Sequence, residues 1–110
     1  MGNGYFINNK DSLEVELQLV KDSLDKAVEL YSKNDYYYFQ LSTLCLIQVL
    51  VKVKDKAISE EIINSVWEEL QSALKAINKA IELDSTKDMY FVSRNAIVDL
   101  LNYKDSGYEN

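Results

Sequence analysis

The sequence predicts an all-α, single-domain protein built as an antiparallel four-helix bundle. The chain contains no proline and only three glycines, two of them within the first four residues, so few residues interrupt a helix. Apolar side chains recur every three or four residues along most of the chain, which is the period of one helix face. Short polar segments divide this pattern into four predicted helices, and short connections favour antiparallel neighbours.

The first helix is predicted near residues 12–32. Asp11 or Ser12 is suited to cap its N-terminus, because a short polar side chain can accept a hydrogen bond from a free backbone amide there. One stripe of the helix is apolar and is expected to pack on the domain. Its residues are Leu13, Leu17, Val20, Leu24, Ala27 and Tyr31. Residues 1–10 are predicted to form a loose arm.

The second helix is predicted near residues 36–54, the least polar part of the chain. It carries no charged residue before Lys52, so we expect the other helices to cover it on most sides. Polar residues interrupt it, and it is too short for a membrane span. Valines alternate with other residues over 49–54, which is the period of a strand, so this end is compatible with either a helix or a strand.

The third and fourth helices are predicted near residues 59–84 and 87–103. Ser59 is the N-cap candidate of the third helix, and the following Glu60 and Glu61 suit the positive end of the helix dipole. The fourth helix is expected to bury one stripe of side chains. This stripe consists of Met89, Val92, Ala96, Leu100 and Tyr103.

No proline- or glycine-rich segment divides the chain, so residues 1–110 are predicted to form one helical domain. Residues 104–110 are expected to form a loose tail. The length suffices for a core without a disulfide or a structural metal.

The residue types that are missing argue against most enzymatic sites. Without histidine there is no histidine triad, no histidine-ligated zinc and no histidine general base. One cysteine cannot form an intrachain disulfide or a cysteine-only zinc site, and Cys45 lies among apolar residues that predict its burial. We therefore expect a protein that is not an enzyme and that uses no cofactor or metal.

The acidic composition limits the class of partner. The net charge is −6, so direct binding to nucleic acid or to an anionic membrane surface is not expected. A protein partner with a basic surface is expected, and a homo-oligomer is also compatible with the sequence. A single cysteine and the absence of a recognisable signal peptide predict a cytoplasmic location.

Aromatic and acidic residues are the best candidates for binding a partner. Four consecutive aromatic residues, 36–39, follow Asp35, and they cannot all face one core because adjacent helix positions are about 100° apart. Exposed tyrosine and tryptophan side chains anchor many interfaces. The predicted partner-binding residues are Asp35, Tyr37, Tyr38, Glu60, Glu61, Trp67 and Glu68. The alternative is that these rings pack within the fold.

Two short segments resemble known families. Residues 73–85 resemble the second helix of a tetratricopeptide repeat, although Ser85 occupies the position of the usual proline. The matching residues are Ala73, Ile77 and Ala80. Residues 35–37, an aspartate and two tyrosines, resemble a segment of the nuclease-bacteriocin immunity proteins, without the proline that follows there. The first resemblance implies a repeat-like adaptor and the second an inhibitor.

The sequence thus leaves two functions open. We expect a small acidic helical protein that binds and inhibits a protein partner without catalysis, of the immunity, antitoxin or anti-defence type, for example an anti-CRISPR protein. The alternative is a structural or adaptor bundle that self-associates or resembles a tetratricopeptide repeat. An apolar stripe that stays uncovered after the helices have packed would favour the adaptor.

Overall fold

The computed structural model describes residues 9–105, with side chains described for residues 12–103, and forms five helices. They are α1 (Asn9–Leu30), α2 (Asp35–Val53), α3 (Glu60–Ser65), α4 (Trp67–Leu83) and α5 (Asp88–Asp105). Residues 9–105 contain no strand, so the all-α prediction is confirmed. The rest of the predicted arm and tail, residues 1–8 and 106–110, lies outside the described residues.

The segment with the strand-like alternation is helical. α2 begins after Asn34, whose Oδ1 accepts a hydrogen bond from the backbone N–H of Tyr37 at 3.1 Å. The helix continues to Val53. Val49 and Val53 are both buried and lie four residues apart, as one helix face requires. The chain then turns at Asp55, which has a φ of 67°.

The third predicted helix is broken at Val66, which corrects the expectation of one continuous helix over 59–84. Val66 has φ −118° and ψ 18° and separates α3 from α4. The Ser65 hydroxyl donates to the carbonyl of Ile62 at 2.6 Å, which replaces regular helical hydrogen bonding with a local bond. Val66 itself is completely buried, so the break lies inside the packed structure.

α2 and α4 form the centre of the core. The buried Ser42 of α2 donates a hydrogen bond to the carbonyl of Ala73 on α4 at 2.8 Å. Small side chains at this contact let the two helices approach closely. Ala73, Ile77 and Ala80, the residues that resemble a tetratricopeptide repeat, are all fully buried. In this fold they serve helix packing.

The helices are ordered as a flat layer. α1 packs on α2, α2 on α4, and α4 on α5, while the short α3 packs on α5 and α4. α1 makes no extensive contact with α4 or with α5. The layer measures 49 × 44 × 19 Å. The predicted four-helix bundle thus becomes five helices, in which the first helix does not close against the last.

α5 buries a different stripe from the one predicted. Tyr90, Ile97 and Leu101 are buried, whereas Met89 is 55% and Val92 68% exposed. The helix is therefore rotated by about one residue, or about 100°, from the expected orientation. The ring of Tyr90 packs on Phe39 of α2, at 5.0 Å between centroids, which accounts for the rotation.

α1 is the least buried of the long helices. Every side chain of residues 12–30 is at least partly exposed, and Leu13 and Val20 of the predicted apolar stripe are exposed. Its extensive packing is on α2 alone. Within the described part of the chain, no helix has the length and apolarity needed to cross a bilayer.

Candidate binding groove

A long groove lies over α2, between α1 and α4, and we call it the α1–α4 groove. It consists of two adjoining depressions of about 290 and 650 Å³ that share Lys21, Cys45 and Ser72. α1 forms one wall, α4 forms the other, and α2 forms the floor. The groove exists because α1 and α4 pack on different sides of α2 without packing on each other.

Both walls follow from helical periodicity. On α1 the lining residues fall between Glu14 and Val28 at spacings of three or four, and on α4 they run from Glu68 to Glu82. Each wall therefore spans fourteen residue steps, or about 21 Å. Glu14 and Glu68 line the same depression, so α1 and α4 run in the same direction, and α2 runs in the opposite direction.

The floor of the second, larger depression is largely apolar. Leu41 and Cys45 of α2 lie there, flanked by Val28 of α1 and Ala76 of α4. Cys45 is 1% exposed, which confirms the prediction that it is buried. Burial raises the pKa of the Cys45 thiol, so the side chain stays protonated at neutral pH. An apolar floor of this kind is suited to contact an apolar side chain of a ligand.

Charged residues line the rim, and several are paired within the chain. Lys52 of α2 bonds to Glu69 of α4. Lys21 pairs with Asp25 at 3.0 Å on α1, and this hydrogen bond raises the pKa of Lys21. Within residues 12–103, Glu14, Glu68 and Lys75 have no ion-pair partner. These three charges are free to meet a ligand.

Asp35, one of the predicted partner-binding residues, is engaged within the fold. Its carboxylate accepts hydrogen bonds from the Tyr90 hydroxyl at 2.5 Å and from Lys87 Nζ at 2.9 Å. These bonds, the one from Tyr90 most, lower the pKa of the Asp35 carboxyl. Asp35 therefore joins the beginning of α2 to the beginning of α5.

The aromatic cluster points in several directions, as the helical geometry predicts. Tyr36 is 50% exposed, and Phe39 packs on Tyr90. Tyr37 is half-buried and meets Tyr31, the residue after α1, edge to face at 5.8 Å between centroids. Tyr38 is half-buried and lines the α1–α4 groove. Of the two predicted tyrosines, only Tyr38 lies in the groove.

The remaining predicted residues divide between two places. Glu60 and Glu61 are exposed in the first turn of α3, and neither lines the groove. Trp67 is half-buried at the start of α4 and packs on the core. Glu68 is exposed and lines the groove. The structure thus brings Tyr38 and Glu68 into one groove, in different depressions, and leaves the other five predicted residues outside it.

Sequence reasoning missed most groove residues, including Lys21, Ser72 and Lys75. Each lies on a helix face that also carries charged residues, and such a face resembles an ordinary solvated surface. Only the placement of α1 and α4 on either side of α2 distinguishes these residues. No pattern within a single helix contains that information.

No group of three or more acidic or cysteine side chains in the described part of the chain is placed to hold a metal ion. The sequence matches no known family profile, and neither a curated protein nor a solved structure shows significant similarity to it. A function therefore has to be argued from the groove and the surface of this chain.

Proposed function

We propose that the protein is a non-catalytic protein-binding module whose α1–α4 groove holds an amphipathic helix of a partner protein. The observation that supports this most strongly is the groove itself, in which two parallel helices flank α2 over about 21 Å, with an apolar floor in the second depression. That length matches about four turns of a helix. Binding of an amphipathic helix in an apolar groove is a common mode of protein recognition.

The poor burial of α1 supports the same proposal. An isolated helix is marginally stable in water and depends on packing of its apolar face. α1 packs extensively only on α2. A helix in the groove would contact α1 directly and supply a second packing partner.

The exposed apolar residues favour an adaptor over an inhibitor that uses an acidic surface. α1 exposes Val15, Leu19 and Leu30 by 60%, 61% and 67%. These three side chains lie outside the groove, and uncovered apolar surface of this kind is what the adaptor alternative predicts. Asp35, in contrast, already has partners within the chain.

Inhibition is the more specific form of this proposal. If the bound helix belongs to a toxin, a nuclease or a defence protein, occupying the groove would sequester it, as an immunity, antitoxin or anti-defence protein does. The net charge of −6 supports a basic partner, because opposite charge speeds encounter. The single buried thiol suits the cytoplasm, where thiols stay reduced.

Site-specific photo-crosslinking tests the proposal. A photoreactive phenylalanine analogue is placed at Ser72 in the groove or, as the control, at the exposed Asn95 of α5, in the organism that encodes the protein. We expect a covalent adduct from Ser72 only, and mass spectrometry should locate it in an amphipathic helix of the partner. Equal adducts from both positions would contradict the proposal.

A groove-filling variant provides the second arm of this experiment. Gln18→Trp adds a large ring to the α1 wall, and Asn102→Trp makes a comparable change at an exposed position of α5. We expect Gln18→Trp to abolish the adduct from Ser72 and Asn102→Trp to leave it unchanged. Circular dichroism establishes that both variants are folded.

A further inference from the structure

We infer that the helix in the α1–α4 groove lies parallel to α2, with acidic residues in its first half and basic residues in its last turns. This inference rests on the proposed function, because it assumes that the groove holds a helix. It adds the direction of the bound helix and the charge pattern by which the protein selects it.

One end of the groove carries free negative charge. Glu14 of α1 and Glu68 of α4 line the depression beside the end of α2. Neither has an ion-pair partner within residues 12–103. Glu69 lies at the same end, but Lys52 neutralises it. Basic side chains of a ligand would be favoured at this end.

The second depression carries positive charge that is unpaired among the described side chains. Lys75 of α4 lines this depression, midway along the α4 wall, and has no ion-pair partner there. Lys21 and Lys79 also line it, but each is paired on its own helix, with Asp25 and Glu82 respectively. Acidic side chains of a ligand would be favoured beside Lys75, in the half of the ligand that this depression holds.

The backbone of the walls favours the same arrangement. α1 and α4 both begin at the acidic end of the groove, so their dipoles point in the same direction. A helix lying between them is favoured in the opposite direction, which is the direction of α2. Its first half then lies in the second depression, which contains Lys75, and its last turn lies beside Glu14 and Glu68.

The intrinsic preferences of the bound helix agree with this direction. Acidic residues stabilise the first turn of a helix and basic residues stabilise the last turn, because they complement its dipole. The charges that stabilise the ligand as a helix are thus the charges that the groove attracts. A ligand bound in the reverse direction would place its acidic turn against Glu14 and Glu68.

A display library tests the inference. The library holds amphipathic helices of about 15 residues, long enough for about four turns, with randomised charged positions. It is selected on the full chain and on the triple variant Glu14→Lys, Glu68→Lys, Lys75→Glu. We expect helices with an acidic first half and a basic end to be enriched at least fivefold over reversed ones. The triple variant should enrich the reversed pattern.

A second triple variant is the matched control. Glu60→Lys, Glu61→Lys and Lys56→Glu change the same charges at exposed positions that do not line the groove. This control should keep the preference of the unmodified protein. If the preferred charge pattern of the helices reversed equally in both variants, the inference would be overturned, because net charge alone would then explain the preference.

The outcomes separate failure of the inference from failure of the proposed function. If helices are captured without charge asymmetry, and Gln18→Trp abolishes capture, the groove binds helices and only the inferred direction is wrong. If no helix is enriched, or if capture survives Gln18→Trp, the inferred direction and the proposed function are both wrong.

Two other occupants of the groove would also overturn the inference. If sedimentation showed a dimer that Gln18→Trp dissociates, a second copy of the chain would be identified as the occupant of the groove. If replacing Tyr5, Phe6 and Ile7 by serine raised capture of the helices tenfold, the chain's own first residues would be identified as the occupant of the groove.

Discussion

At the start of α2, the carboxylate of Asp35 accepts hydrogen bonds from Lys87 and Tyr90 and thereby joins two helices that are distant in sequence. The sequence predicted Asp35 as a binding residue because it directly precedes a run of tyrosines, and exposed tyrosines anchor many interfaces. Its actual partners lie 52 and 55 residues further along the chain. Local patterns carry no information about such contacts.

We expect Asp35→Asn to lower the free energy of unfolding by about 1.5–3 kcal/mol at pH 7, the usual range for a hydrogen bond to a charged group. The folded state lowers the pKa of Asp35 below its ordinary value of 3.8, so the ionised form stabilises the fold above that pH. This stabilisation disappears as the pH falls through the folded-state pKa.

Urea denaturation between pH 7 and pH 2 checks this prediction. The difference between the unmodified protein and Asp35→Asn should shrink as the solution becomes acidic. Asp99→Asn, at an exposed position of α5, is the control and should change stability little at any pH. A difference that stays constant down to pH 2 would show that the Asp35 carboxylate is not the stabilising group.

Ser42 gives a second prediction at the residue scale. Its buried hydroxyl bonds to the Ala73 carbonyl where α2 and α4 meet, so the site has little room for a larger side chain. Ser42→Leu should lower the free energy of unfolding by about 1–3 kcal/mol through overpacking. Thermal denaturation checks this, with the more exposed Thr43→Leu as the control. Equal effects at both positions would argue against a tight helix contact.

Among the helices, local signals predicted the cap of the third helix but not that of the first, because α1 begins at Asn9 and both Asp11 and Ser12 lie inside it. Ser59 was predicted as the cap of the third helix, and its hydroxyl accepts a hydrogen bond from the backbone N–H of Ile62 at 3.2 Å. The break at Val66 was missed because an apolar residue in a continuous stripe looks like the middle of a helix. The rotation of α5 was missed because Tyr90 is buried by contacts with α2.

Burial differs so strongly between α1 and α4 that the same substitution should have different effects in them. Leu70→Ala removes a fully buried side chain from α4 and should lower the free energy of unfolding by about 2–5 kcal/mol. Leu24→Ala, at a half-exposed position of α1, should cost less than half as much. Denaturation of the two variants under identical conditions provides the comparison. A larger loss for Leu24→Ala would contradict the weak attachment of α1.

For the whole molecule, the sequence predicted the helical class because that class depends on composition and on the period of apolar residues. The flat layer and its groove were not predictable in the same way. They depend on which faces of α1, α2 and α4 pair, and several faces of α1 are apolar enough to pack. The position of Glu14 and Glu68 at one end of the groove, and of Lys75 midway along its α4 wall, follows only from that pairing.

The central claim is that α1 and α4 form the walls of a groove that a partner helix completes. Hydrogen exchange followed by mass spectrometry, with and without a helix selected from the library, tests it most directly. We predict that the amides of α1 exchange faster than those of α4 in the free protein. Adding the helix should slow amide exchange in α1 more than in α5. Equal protection of the α1 and α4 amides before binding would contradict this account. Protection gained mainly in α5 on binding would also contradict it.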